Sequence, residues 1–202
     1  MIKENLNIFR EYAHHIRRYV WISVILFLLF AGAGFYATQY YPQEIQGYLD
    51  EAQTFFESMQ APTQWDTFLM IFKNNAEAML MVVGMGIFLG LFSLTFLAAN
   101  GFILGIYAYL FYSQGIANIF VAGILPHGII ELPCMFFAAA IGLKIGTTVL
   151  RRLAGKKVSV TSELARGIEF AVLVIVPALA VAAFIETCVT PFFIALAQGG
   201  GR

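Results

Sequence analysis

Apolar runs that reach almost unbroken from Tyr19 to the C-terminal tail limit what this chain can fold into more than any other feature of it. A hydrocarbon core about 30 Å thick is crossed by a helix of roughly 20 apolar residues, and runs of that length recur here several times. Hydrophobic residues make up 60% of the chain and charged residues only 12%, half of what an ordinary soluble domain carries. A chain of 202 residues has too little interior to hide so many apolar segments from water. The expectation is an all-α polytopic membrane protein, one compact bundle of about five transmembrane helices filling residues 1–202, with no separate soluble enzyme domain. The formal net charge is zero, and no nucleic-acid partner is expected.

Residues 1–18 carry Leu6, Phe9, Ala13 and Ile16 at helical spacing among basic residues, which reads as a cytoplasmic amphipathic helix. Five spans follow, at about 19–37, 77–98, 101–124, 128–150 and 167–186. The first reads as an anchor that stays, because no small-residue cleavage site follows it. Residues 39–73 form the one long polar stretch, holding Glu44, Asp50, Glu51, Glu57 and Asp66 against Lys73. Within it Ile45, Leu49, Ala52, Phe56 and Met59 align on one face, predicting an extracytoplasmic amphipathic helix that stops near Pro62, with Trp65 as an interface anchor. Asn100-Gly101 reads as a tight turn between spans two and three. Ser113-Gln114-Gly115 interrupts the third block, so residues 113–133 are read either as the end of one long span or as a broken, re-entrant segment. Thr161 or Ser162 is placed as the cap of the last helix, Pro177 as a kink within it, and Phe192 to Ala197 as a short segment at the interface. The pairs Gly86 and Gly90, Gly101 and Gly105, and Gly142 and Gly146 have the spacing that lets helix backbones pack closely, and such faces also suit a homo-oligomer.

Of the twelve Lys and Arg residues, all but Lys73 and Arg202 lie in or beside the N-terminal segment and the loop between spans four and five. Positive charge is retained on the cytoplasmic side, so the N-terminus is placed inside, and the 39–73 loop and the C-terminus outside.

That parity brings Pro126-His127-Gly128-Ile129-Ile130-Glu131-Leu132-Pro133 to the outer mouth of span four. A histidine and an acid in hydrocarbon require partners. His127 and Glu131 are four residues apart and share a helix face, while Pro126 and Pro133 predict a broken or kinked helix around them. Glu186 and Cys188 share their depth, and so do Asn74 and Asn75; with Asn100 these complete the candidate polar cluster. Its simplest role is a network that fixes helix packing. His127, Glu131, Glu186 and Cys188 are also residue types that zinc accepts, which leaves an intramembrane metal-dependent hydrolase as one alternative, although no His-Glu-x-x-His motif is present. Buried carboxylates beside broken helices suit a small-solute or ion transporter, or a subunit of one, as another. No cofactor is expected, a bound metal being the alternative, and the chain is expected not to be an enzyme. Cys134 and Cys188 are read as small buried residues in preference to a disulfide.

The octapeptide, with the later Gly142-Leu143-Lys144-Ile145-Gly146, resembles the signature of the stage II sporulation protein M family of membrane proteins. The resemblance extends to Phe72-Lys73-Asn74-Asn75, Asn100-Gly101, Ile185-Glu186 and Pro191. It implies about five membrane helices and a non-enzymatic assembly or scaffold component of the cell membrane that recruits extracytoplasmic cell-wall-remodelling enzymes. The partners so implied are membrane lipid and a membrane or extracytoplasmic protein, met through the 39–73 loop.

Overall fold

The first helix, α1 (Ile2–Tyr40), has no Gly or Pro before Gly32 to interrupt it, and a run of 39 helical residues extends about 58 Å. The stretch read as a separate amphipathic helix is therefore the N-terminal half of one rod. Its amphipathicity still serves packing: Tyr12, Ile16 and Tyr19 are buried while Arg17 and Arg18 are exposed. The computed structural model describes residues 2–47, 49 and 63–199, with side chains from residue 10 onward. Residues 42–47 are helical and Ile45 is buried, but most of the amphipathic helix expected outside the membrane, through its stop near Pro62, lies outside the described residues.

Thr63 opens α2 (Gln64–Gly84) by accepting a hydrogen bond from the Asp66 amide. A 3-10 turn (Met85–Ile87) follows, and then α3 (Leu91–Ser113), α4 (Ala117–Leu153), α5 (Val160–Phe170), a π-helical turn (Ala171–Ile175), α6 (Val176–Cys188) and α7 (Thr190–Gly199). Among the described residues five segments are long and apolar enough to cross a membrane: Arg10–Tyr40, Gln64–Ile87, Leu91–Ser113, Ala117–Leu153 and Val160–Gly199. The chain is thus an all-α polytopic membrane protein. Its central rod is α4, with 56% of its most apolar window buried against at most 33% in the others.

Several boundaries differ from the sequence reading, each for a local reason. The reversal placed at Asn100-Gly101 occurs instead at Phe88-Leu89-Gly90, where Leu89 and Gly90 both take positive φ, 58° and 74°. That turn is apolar, so polarity does not reveal it. Asn100 sits inside α3, its side-chain amide donating to the Phe96 carbonyl at 2.8 Å, and Gly101 lets α1 approach. Phe68 to Phe72 belongs to the second span, which starts at Gln64.

The break expected at the Pro126–Pro133 motif is absent, since α4 runs through both prolines as one helix. The interruption falls at Gln114-Gly115-Ile116, where Gly115 has φ 72°. Each proline removes one backbone donor, which a long helix packed along its length tolerates. Ser159 caps α5 in place of Thr161 or Ser162, accepting from the Ser162 amide. The π turn directly precedes Pro177, whose missing N–H would have bonded the Leu173 carbonyl; widening the helix there absorbs the proline. A second bend lies at Val189, two residues before Pro191, and Phe192 to Ala197 continues as α7 against the N-terminal part of α4.

Glycines bring these rods together. A Cβ at Gly86 would lie 2.7 Å from the Gly142 Cα, one at Gly146 would fall 2.6 Å from the Leu89 oxygen and close to the Gly90 nitrogen, and one at Gly101 would fall 2.5 Å from the Phe27 oxygen. Gly105 meets the Ala31 carbonyl in the same way. All six glycines singled out by spacing face backbone of this chain, so they offer no free face to a second copy.

Candidate functional site

Two helices build the polar cluster. His127 and Glu131 stand one turn apart on α4, and Glu186 projects from the last turn of α6. One ligand atom from each residue lies within 4.8 Å of the other two. All three side chains are half-buried. Among the described residues no lysine or arginine forms an ion pair with Glu131 or Glu186; the ion pair present, Lys73 with Glu77 at 3.8 Å, is exposed on α2.

Thr190 joins the cluster from the first turn of α7, a residue that sequence reasoning passed over. Its hydroxyl lies 3.4 Å from His127 Nδ1 and donates to the Ile185 carbonyl at 3.3 Å. With its proton directed at Ile185, the threonine oxygen serves His127 as an acceptor. The imidazole then carries a proton on Nδ1. Proximity to Pro191 and the helix bend was the available signal, since a hydroxyl at a helix break is well placed to reach carbonyls.

The same bend ties α6 to α2. Pro191 has no N–H for the Thr187 carbonyl, and Gln64 Nε2 from the start of α2 donates to that oxygen at 3.3 Å. Asn118 at the start of α4 donates to the Ala197 carbonyl of α7 at 3.0 Å. The starts of α2 and α4 and the end of α6 with α7 are in this way bonded at one end of the bundle.

A cavity of about 440 Å³ lies beside His127 and Glu131, bounded by α1, α3, α4 and α7. Its wall is apolar, with Phe27, Leu104, Phe111, Phe120 and Ile194, apart from Asn100, Tyr107, His127 and Glu131. Asn100 thus faces the same space as the cluster without being among its converging atoms. Asn74 and Asn75 are not brought in: they lie ten and eleven residues along α2 from Gln64, about 15 Å down its axis. Cys188 is exposed and free, with Gln64 Nε2 at 3.8 Å from its sulfur, and Cys134 is buried and free. Chemically the site offers an imidazole nitrogen and two carboxylates to a cation, or a hydrogen-bonded brace between helices. Pro126 and Pro133 flank it in an unbroken helix, and Gly128 is buried beside Ile124 and Leu132.

A second polar group sits at the opposite end. Arg18 donates to the Tyr19 hydroxyl at 2.9 Å, which is 2.7 Å from Thr147 Oγ1. Lys144 is buried there, its ammonium 5.9 Å from the centre of the Tyr19 ring.

The pattern described as stage II sporulation protein M matches residues 23–191. Two proteins of Methanocaldococcus jannaschii are similar. MJ0706, described as an uncharacterized protein, is 41% identical over 75 residues, which cover 37% of this chain and 31% of that protein. MJ0793, also described as uncharacterized, is 33% identical over 129 residues, 61% of this chain and 71% of that protein. The chain thus spans under a third of one relative and most of the other. No solved structure matches.

Proposed function

Because the chain belongs to the stage II sporulation protein M family, we propose that it is a non-enzymatic assembly component of the cell membrane that holds an extracytoplasmic partner, of the cell-wall-remodelling class, at the membrane surface. One observation carries this reading. The acidic 39–73 segment begins at the end of α1 and runs into α2, and Gln64 at the start of α2 is fastened to the Thr187 carbonyl of α6. A partner-binding segment gains affinity when its ends are held, because less chain entropy is lost on binding. The N-terminus lies in the cytoplasm, and the segment and the C-terminus lie outside, in keeping with the clustering of ten basic residues at the other end.

The experiment is site-specific photo-crosslinking from Glu44 and Gln46 in native membranes, with identification of the adduct. An extracytoplasmic wall-remodelling enzyme is the expected product. Adducts to lipid or to the chain itself alone would overturn the reading. The cavity beside two carboxylates favours a second reading, passage of a small solute, which uptake into proteoliposomes of the purified chain would reveal.

A further inference from the structure

Two carboxylates and one imidazole converge in a half-buried site with no basic side chain paired to either acid among the described residues. A carboxylate that stays ionised away from water calls for a counter-charge, and a bound cation supplies one. Thr190 accepts from the imidazole Nδ1–H, so Nε2 is the ring nitrogen available to a metal ion. Deprotonated, all three residues present lone pairs to the space between them. We propose that His127, Glu131 and Glu186 bind one divalent transition-metal ion, which clamps the middle of α4 to the end of α6.

The donor set selects the class of ion. One nitrogen with two carboxylate oxygens suits zinc, manganese, iron or cobalt, whereas calcium and magnesium take oxygen donors almost alone. Bonds of about 2.0–2.2 Å require the donor atoms to stand roughly 3–3.5 Å apart, so the site closes by up to about 1.5 Å from its present spread. Both glutamates can supply that through their terminal torsions, without backbone movement. His127 and Glu131 also line the 440 Å³ cavity, so the remaining coordination positions open toward it and are filled by water or by a ligand held there. Thr190 is a positioning residue, fixing the tautomer and the ring plane from behind. The ion brings together α4, α6 and, through Thr190, α7.

The test uses the full chain purified in detergent and stripped with a chelator, with Co²⁺ as the probe and visible absorption plus elemental analysis as readouts. One Co²⁺ per chain with ligand-field bands is expected, displaced by Zn²⁺ and not by Mg²⁺. Glu186→Gln and Glu131→Gln should each lose the bands, Thr190→Val should weaken binding about 10- to 100-fold, and Glu77→Gln, on exposed α2, should leave it unchanged. A measurement on the unaltered chain covers the case of a variant that fails to fold. Zn²⁺ should protect His127 from diethyl pyrocarbonate while the exposed His14 and His15 continue to react. Absence of stoichiometric Co²⁺, binding untouched by Glu186→Gln in a folded variant, or equal modification of His127 with and without Zn²⁺ would each overturn the proposal. None of these readouts depends on a partner protein, so failure here leaves the crosslinking result to stand or fall separately.

Discussion

Gly105→Ala is the most direct test of how the bundle is held together. In α3 a methyl at this position would fall on the Ala31 carbonyl oxygen and 2.7 Å from the Phe35 amide nitrogen, both of them backbone atoms of α1. Neither can rotate aside, so the two helices must part by about 1 Å, a gap that forfeits a quarter to a half of the dispersion energy of the atoms lining it. Those atoms include Phe35 and Tyr109, whose rings meet edge to face at 5.1 Å. Overpacking of this kind costs up to about 3 kcal/mol, and the better helix propensity of alanine returns about 1 kcal/mol. The net loss of about 2 kcal/mol corresponds to a fall in Tm of about 4–8 °C for a chain of this length. Gly32→Ala is the control, because Gly32 lies in α1 beside Ala31 and a methyl there meets nothing within 4 Å. It should raise stability by up to about 1 kcal/mol. The assay is heat unfolding in detergent, read by a thiol-reactive dye on the buried Cys134 in a Cys188→Ser background. If Gly105→Ala melts at or above the parent, the close approach of α1 and α3 is wrong.

Ser93 is fully buried against Gly142, and its hydroxyl has no hydrogen-bond partner; Ser93→Ala should therefore raise stability by about 1 kcal/mol or more, read as a higher melting point, and a clear loss would show that the hydroxyl is bonded. Gln64→Ala should cost about 0.5–1.5 kcal/mol by releasing the Thr187 carbonyl, and less in a Pro191→Ala background, where the restored N–H can bond that oxygen instead; a double-mutant cycle with no coupling would refute this link. For topology, single cysteines at Glu44 and Lys156 in a cysteine-free chain should react with a membrane-impermeant maleimide from opposite sides, Lys156 only after permeabilisation. Labelling of both from one side would break the assigned parity.

The six packing glycines show why some features were legible and others were not. Their spacing is visible in the chain, and so is the need for close neighbours, but the identity of each neighbour is not, since a four-residue interval specifies a face and not what covers it. Asn100-Gly101 misled for a related reason: the pair has the composition of a turn, yet the amide finds its acceptor four residues back and the glycine admits α1. The true reversal at Leu89-Gly90 carries no polar signal, because its side chains are apolar: Phe88 and Leu89 are exposed, and Gly90 is set against Leu143 of α4.

The candidate site divides along the same line. His127 and Glu131 could be paired from the sequence alone, because four residues on a helix is one turn. Glu186 could be brought to their depth by counting spans, but its arrival within 4.8 Å depends on how α6 packs against α4. Thr190 and Gln64 could not be placed at all, since their roles arise from carbonyls at the α6 to α7 bend and near Pro191, which only the folded backbone exposes.

What the sequence determined by itself was the solvent, the helical class and the number of crossings, because bilayer thickness and backbone hydrogen bonding leave no other structure for runs this apolar. The tertiary structure alone decided where the helices begin and end, which glycines meet, and that two acids and an imidazole from separate helices share one space. Lipid is as apolar as the side chains it surrounds, so hydrophobicity places these helices in the membrane without choosing their neighbours. That choice rests on close backbone contact and on a few polar groups, and both exist only after the chain has folded.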